Sequence, residues 1–221
     1  IGISAPREAA PVHEAWARLG SCRLAVFVSP NAAEQFFALR PEGTDWPADT
    51  LAGSPGPGTS RVLRALGVAA HQIVEPAADA AQFDSESLWR QLCHTAWRGT
   101  AVLIVRGESG RDWLADTLRE HGAQVGFVTA YGRGAPALDD AQRDLLQAAI
   151  SDPAAHAWMF SSSEAIGHLE ALAPHGASPA VIGAQMCAWE QPEWLEIPRL
   201  GPRVAAMSQQ VWSPGSGGDY A

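Results

Sequence analysis

The chain has 221 residues, 47% hydrophobic and 18% charged. That excludes a disordered polymer and leaves room for one large domain or two small ones. Its net charge is −9 and its fifteen cationic side chains are all arginine. The missing lysines exclude Schiff-base chemistry and a Walker-type phosphate loop, and the acidity argues against nucleic acid as a partner. The longest apolar runs, 24–28 and 101–105, have strand length rather than membrane-span length, so a soluble protein with no membrane partner is expected.

In chain order, LAVFV (24–28) reads as a strand buried on both faces. Ser29-Pro30-Asn31 follows, with Ser29 or Asn31 as the cap of a helix carrying Phe36, Phe37 and Leu39. Residues 44–58 are dense in turn formers. TSRVLRALG (59–67) reads as a helix with Thr59 as N-cap and Gly67 as its stop. HQIVEP (71–76) is a short strand, and 82–97 a helix capped by Asp84 or Ser85 with Leu88, Trp89 and Leu92 inside. AVLIV (101–105), the turn RGESG (106–110), a helix over 111–122 ending at Gly122, and QVGFV (124–128) repeat the unit. Strands alternating with helices imply a parallel sheet. TAYGRGAP (129–136) breaks the rhythm and reads as a crossing between domains. A helix over 138–150, a strand over 157–160, Ser161-Ser162-Ser163 and a helix to about Leu172 then repeat the layout of 24–39. The tail 213–221 has no core pattern.

Four strand-to-helix turns stand out: Ser29-Pro30-Asn31, Gly56-Pro57-Gly58-Thr59, Arg106-Gly107-Glu108-Ser109-Gly110-Arg111 and Ser161-Ser162-Ser163. Each offers backbone N–H groups at a helix start, which suit a carboxylate or phosphate, or only serves its own helix as a cap. Arg106 and Arg111 suit a carboxylate clamp, the alternative being that Arg111 pairs with nearby acids on its own helix. Tyr131 lies in the crossing, either as a proton donor in an interdomain cleft or as a packing aromatic. No G-x-G-x-x-G fingerprint, G-x-S-x-G elbow, CxxC pair or HExxH motif is present. Cys22, Cys93 and Cys187 read as free, mostly buried thiols of a cytosolic protein. The tryptophans, Trp89, Trp97 and Trp113 among them, read as core residues.

Several blocks together resemble the bacterial uroporphyrinogen-III synthase family: VFVSPNAAEQFF (26–37), GPGTSRVLRALGV (56–68), QFDSESLW (82–89), VLIVRGESGRDWLADTLREHGAQV (102–125), YGR (131–133) and MFSSSEAIGHL (159–169). The resemblance covers roughly residues 5–172. It implies two flavodoxin-like α/β domains with parallel sheets joined by a two-stranded hinge: hinge segments 1–6 and 129–134, one domain over 7–128, a second over 135–212, and a flexible tail over 213–221. The family's opening strand and helix are absent and the chain starts at Ile1 without methionine, so an incomplete N-terminus is expected. QMCAWEQPEWLEIP (185–198) departs from the family, whereas Gly201-Pro202-Arg203 loosely resembles its last turn.

The resemblance implies cyclisation of hydroxymethylbilane to uroporphyrinogen III, with ring D inverted through a spirocyclic intermediate and with no metal or organic cofactor. It implies that Tyr131 helps the terminal hydroxyl leave. Turn residues Ser29, Pro30, Asn31, Gly58, Thr59, Arg106, Gly107, Gly110, Ser161, Ser162, Ser163 and Arg203 would hold the eight carboxylates. A cytoplasmic monomer is the expected form. The competing reading is a non-catalytic two-domain binding module for an anionic ligand. In either case an acidic protein holds an anion, so attraction has to be local, from helix N-termini and a few arginines.

Overall fold

The computed structural model describes residues 1–152 and 163–172. They fall into two compact units. One spans Ile3–Arg133; the other holds Ile1–Gly2 and the described residues from Gly134 onward.

Continuous apolar stretches make the central strands of a six-stranded sheet. In chain order the strands are β1 (Gly2–Ser4), β2 (Cys22–Phe27), β3 (Leu51–Gly53), β4 (Ile73–Val74), β5 (Ala101–Gly107) and β6 (Gln124–Gly134). Their spatial order is β1-β6-β5-β2-β3-β4. The pairs β2/β3, β3/β4, β2/β5 and β5/β6 are all parallel, with Ala25 opposite Leu103 and Phe27 opposite Val105 at the centre. After β1 at one edge, the chain enters the middle at β2, winds outward through β3 and β4, then returns to the other side of β2 as β5 and β6.

The two-residue period of a strand sends alternate side chains to opposite faces. Ala25, Phe27, Leu103 and Val105 face one core with Val12 and Trp16 of α1 (Ala10–Arg18), Phe36 and Phe37 of α2 (Pro30–Ala38), and Leu63 of α3 (Pro57–Ala65). Leu24, Val26, Val102 and Ile104 face the other, with Leu88 and Leu92 of α4 (Ser85–Leu92) and Leu114 and Leu118 of α5 (Trp113–Glu120). The result is a doubly wound α/β/α layering. The first face holds an aromatic cluster in which Trp16 stacks on Phe36 at 4.7 Å and donates its indole N–H to the Phe36 carbonyl at 2.9 Å.

Several local boundaries differ from the sequence reading, each for a visible reason. Thr59 is not the cap of α3. Pro57 supplies the preset φ of a first helical residue, so the cap is Gly56 and Thr59 lies buried one turn in. Pro30 does the same for α2, so Ser29, not Asn31, is its cap. Asp84 caps α4, but the helix ends at Leu92 rather than reaching Trp97. Trp97 instead turns back, fully buried, and donates its indole N–H to the Leu92 carbonyl at 3.0 Å. Gly67 and Gly122 do end their helical stretches, with φ of 98° and 89°. Helix α1 and the short strand β3 are additions to the sequence reading. Trp113 is exposed and Trp89 only half-buried, against the ring of His121 at 4.7 Å. Cys22 and Cys93 are half-buried rather than buried; burial pushes the Cys22 thiol up, partly opposed by Arg18 and a hydrogen bond from Ser21. Cys187 lies outside the described residues.

The stretch 129–136 does not break the sheet at its start. β6 continues through it to Gly134, eleven residues in all, with β1 at its side. In the second unit, α6 (Asp140–Ser151) begins with a capping box. Asp139 accepts from the Gln142 N–H and the Gln142 side chain accepts from the Asp139 N–H. Helix α7 spans Ser163–Leu172. The expected strand over 157–160 and everything from 173 onward lie outside the described residues. No described helix is long and apolar enough to cross a membrane.

Phe27 sits fully buried at the centre of one face, between both winding directions. Phe27→Ala is expected to cost about 3–5 kcal/mol of stability. Urea unfolding checks this as a lower midpoint with an unchanged slope.

Candidate active site

Because β2 to β6 are parallel, their carboxyl ends share one edge. The winding reverses between β2 and β5, and the crevice at such a reversal is where open α/β sheets bind ligands. Three of the four turns singled out in the sequence leave this edge from the adjacent strands β3, β2 and β5.

At β2, Ser29 is extended (φ −160°, ψ 164°) and its Oγ accepts from the Ala32 N–H at 3.2 Å, starting α2. Pro30 and Asn31 fill the first helical positions. At β3, α3 starts alongside: a Cβ on Gly58 would meet Pro30 Cγ at 3.8 Å, ordinary contact. Gly58 and Pro30 are thus brought together, while the Thr59 side chain faces inward at 3% exposure. Ser54 organises the approach to α3, donating to the Gly56 carbonyl at 2.7 Å.

At β5 the turn has a different character. Arg106 and Gly107 belong to the strand. The Arg106 guanidinium pairs with Asp112, the cap residue of α5, and donates to the Gly110 carbonyl at 3.4 Å. It also lies over the Phe127 ring at 4.1 Å and is 19% exposed. Arg111 pairs with Glu86 on α4, not with an acid of its own helix. Arg7 reaches Glu108 at 3.1 Å, both ends well exposed. The turn is held from three sides by ion pairs.

Tyr131 joins these parts. It stands on β6 opposite Gly107 of β5, just past a bulge. Its ring lies across Gly107, where a Cβ would come within 2.9 Å of Cζ and 3.0 Å of Cε2. With that space open, the hydroxyl crosses the whole width of β5 and meets Ser29 Oγ at the end of β2, 3.4 Å away. Arg133, two residues further along β6, donates from Nη2 to the same phenol oxygen at 3.1 Å. Tyr131 is 1% exposed. Ser29, Gly107, Tyr131 and Arg133 form one constellation at the winding reversal. Such a group can donate a directed proton or hydrogen bond beside two helix N-termini that favour anions.

A family model described as uroporphyrinogen-III synthase HemD matches residues 1–188. The chain belongs to the uroporphyrinogen-III synthase family. Solved structures similar to it are those of uroporphyrinogen III synthase from the extremely thermophilic bacterium Thermus thermophilus. The wild-type form is 18% identical, with a TM-score of 0.48 over 78% of this chain and 64% of that one. A mutant selenomethionine form is 16% identical, with a TM-score of 0.47 over 68% and 56%. A further Thermus thermophilus structure is 18% identical, with a TM-score of 0.45 over 76% and 63%. The chain thus spans between 56% and 64% of the length of these solved proteins.

Of the remaining residues expected at the site, Gly110 lies against Arg106. Ser163 is the first residue of α7. Ser161, Ser162 and Arg203 lie outside the described residues. Sequence reasoning missed Arg133, Asp112 and Glu86. The signal for Arg133 was present: residues i and i+2 of a strand share a face, so an arginine two positions after Tyr131 stands beside it.

Gly107→Ala is expected to push the Tyr131 ring off Ser29 and to cost about 1–3 kcal/mol, as overpacking does. A lowered thermal midpoint together with a displaced Tyr131 in the variant's crystal structure checks both halves.

Proposed function

We propose that the protein converts hydroxymethylbilane to uroporphyrinogen III, with ring D inverted, acting as a cytoplasmic monomer without a metal or organic cofactor. What carries the reading is the Tyr131 hydroxyl, set beside Ser29 where the sheet reverses its winding, in a chain of this family.

In this reading Tyr131 gives its proton to the terminal hydroxyl of the substrate. The C–O bond breaks, water leaves, and the pyrrole nitrogen supplies the electron pair that makes an azafulvene cation. The substituted carbon of ring D attacks the cation's methylene to form a spirocyclic intermediate. This fragments and recloses with ring D inverted, and the last carbon-bound proton returns to the phenolate. The net change is loss of one water. The phenol suits the first step because a positioned tyrosine O–H is a recognised general acid. Holding a reactive linear chain in a folded shape supplies much of the rest.

The turns take the carboxylates: Ser29, Pro30, Asn31, Gly58, Thr59, Gly107 and Gly110 through their backbone and helix starts, with Arg106, Ser161, Ser162, Ser163 and Arg203 assigned to the same role. Arg106 serves as a member of a rigid turn, since Asp112 already engages its guanidinium. The domain limits 7–128 and 135–212, joined through 1–6 and 129–134, with 213–221 as a tail, belong to the same proposal.

The deciding assay adds hydroxymethylbilane and resolves the type I and type III isomers. Type III product is expected; type I alone defeats the reading. Tyr131→Phe is expected to slow type III formation by about ten- to a hundredfold without abolishing it, at or just below the usual contribution of a general acid. An unchanged rate, or complete loss with the fold intact, removes Tyr131 from this role.

A further inference from the structure

We propose that Arg133 is a positioning residue for Tyr131, setting the phenol as a hydrogen-bond donor with Ser29 as its second partner. The inference rests on the synthase reading above and adds a residue to it.

The argument is one of donors and acceptors. A guanidinium has only donors. Arg133 Nη2 donates to the Tyr131 oxygen at 3.1 Å, so one lone pair of the phenol is taken. Ser29 Oγ, 3.4 Å from that oxygen, already accepts the Ala32 N–H. When Ser29 uses its own proton to donate to the phenol, both acceptor positions of Tyr131 are filled. Its O–H then has one use left, donation to a ligand. That is the protonation geometry a departing hydroxyl needs. Were Ser29 alone present, the phenol could equally spend its proton on Ser29 Oγ.

Arg106 is engaged by Asp112 and the Gly110 carbonyl, and Arg7 by Glu108. Strand geometry explains why the role falls to residue 133, which shares a face of β6 with Tyr131. The guanidinium also lies 5.7 Å from the centre of the Tyr131 ring, restraining the ring as well as its oxygen. Arg133 is exposed while Tyr131 is buried.

A double-mutant cycle tests the idea, using Arg133→Gln and Arg133→Lys in wild-type and Tyr131→Phe backgrounds, with kcat and KM for type III product. Arg133→Gln is expected to lower kcat about tenfold with KM within about twofold, as loss of a charge-assisted hydrogen bond in the transition state would. Arg133→Lys, which keeps the charge and donors, recovers part of the loss. In the Tyr131→Phe background Arg133→Gln has no further effect. A merely structural arginine would lower kcat equally in both backgrounds, and that additive result overturns the proposal. So does a change in KM with kcat preserved. Thermal unfolding midpoints confirm that each variant is folded. If the wild-type chain yields only type I product, the synthase reading fails and the positioning role falls with it. Type III product with additive variants overturns the positioning role alone.

Discussion

The arrangement of the site depends on one missing methyl group. Tyr131 is anchored on β6 and its hydroxyl meets Ser29 beyond β2, with β5 in between. A tyrosine can bridge a neighbouring strand only where that strand presents no side chain to the ring, and Gly107 is that position. The bulge between Arg106 and Gly107 brings Gly107 opposite Tyr131. A glycine inside a strand ordinarily weakens it, and here it gives the backbone a surface on which an aromatic ring can lie.

The rest of the sheet serves that contact. Phe27, at the end of β2, pairs with Val105 of β5, two residues before that strand ends, and the two strands approach the edge in step. Helices α1 to α3 cover one face and α4 and α5 the other, so the reversal of winding falls between the strands that bear Ser29 and Gly107. Charge is handled locally. The chain is acidic overall, yet Arg106, Arg111 and Arg7 around the β5 turn are matched to Asp112, Glu86 and Glu108 rather than pooled into a basic patch. Exposed pairs of this kind contribute about 0–1 kcal/mol each, so their main consequence is the shape of the turn rather than overall stability.

What could be read in the sequence follows from how many residues carry each signal. β2 and β5 were legible because their apolar runs are continuous, as strands buried on both faces must be. β3, with three residues, is too short to show a period and exists because β2 offers an edge to pair with, whereas the two residues of β4 fall within the short strand read over 71–76. Helix α1 carries a usable signal in Val12, Trp16 and Leu19, at spacings of four and three, but no side chain caps its start to announce it. The start of α3 was read too far along because proline stands at its first position, whereas for α2 the true cap, Ser29, was one of the two candidates. At the site, Ser29, Gly107 and Tyr131 all stand out in the sequence, but their joining was not visible, since it depends on a ring lying over a glycine one strand away. Arg133 was hidden by its neighbours. Glycines at 132 and 134 make the segment look like a break, and with the strand goes the two-residue period that would have paired it with Tyr131.

The separation of Ser29 from Tyr131, 102 positions along the chain, also has a kinetic side. A chain made from its N-terminus has β2 and β3 in hand early, and they can pair across a short crossover. The other edge of β2 has no partner until residues 101–107 emerge, and β6 comes later still. Long-range pairings of this sort fold slowly and leave a strand edge open in the meantime. The constellation at the sheet edge is thus among the last features of its unit to assemble, and its presence reports that the whole winding has been completed.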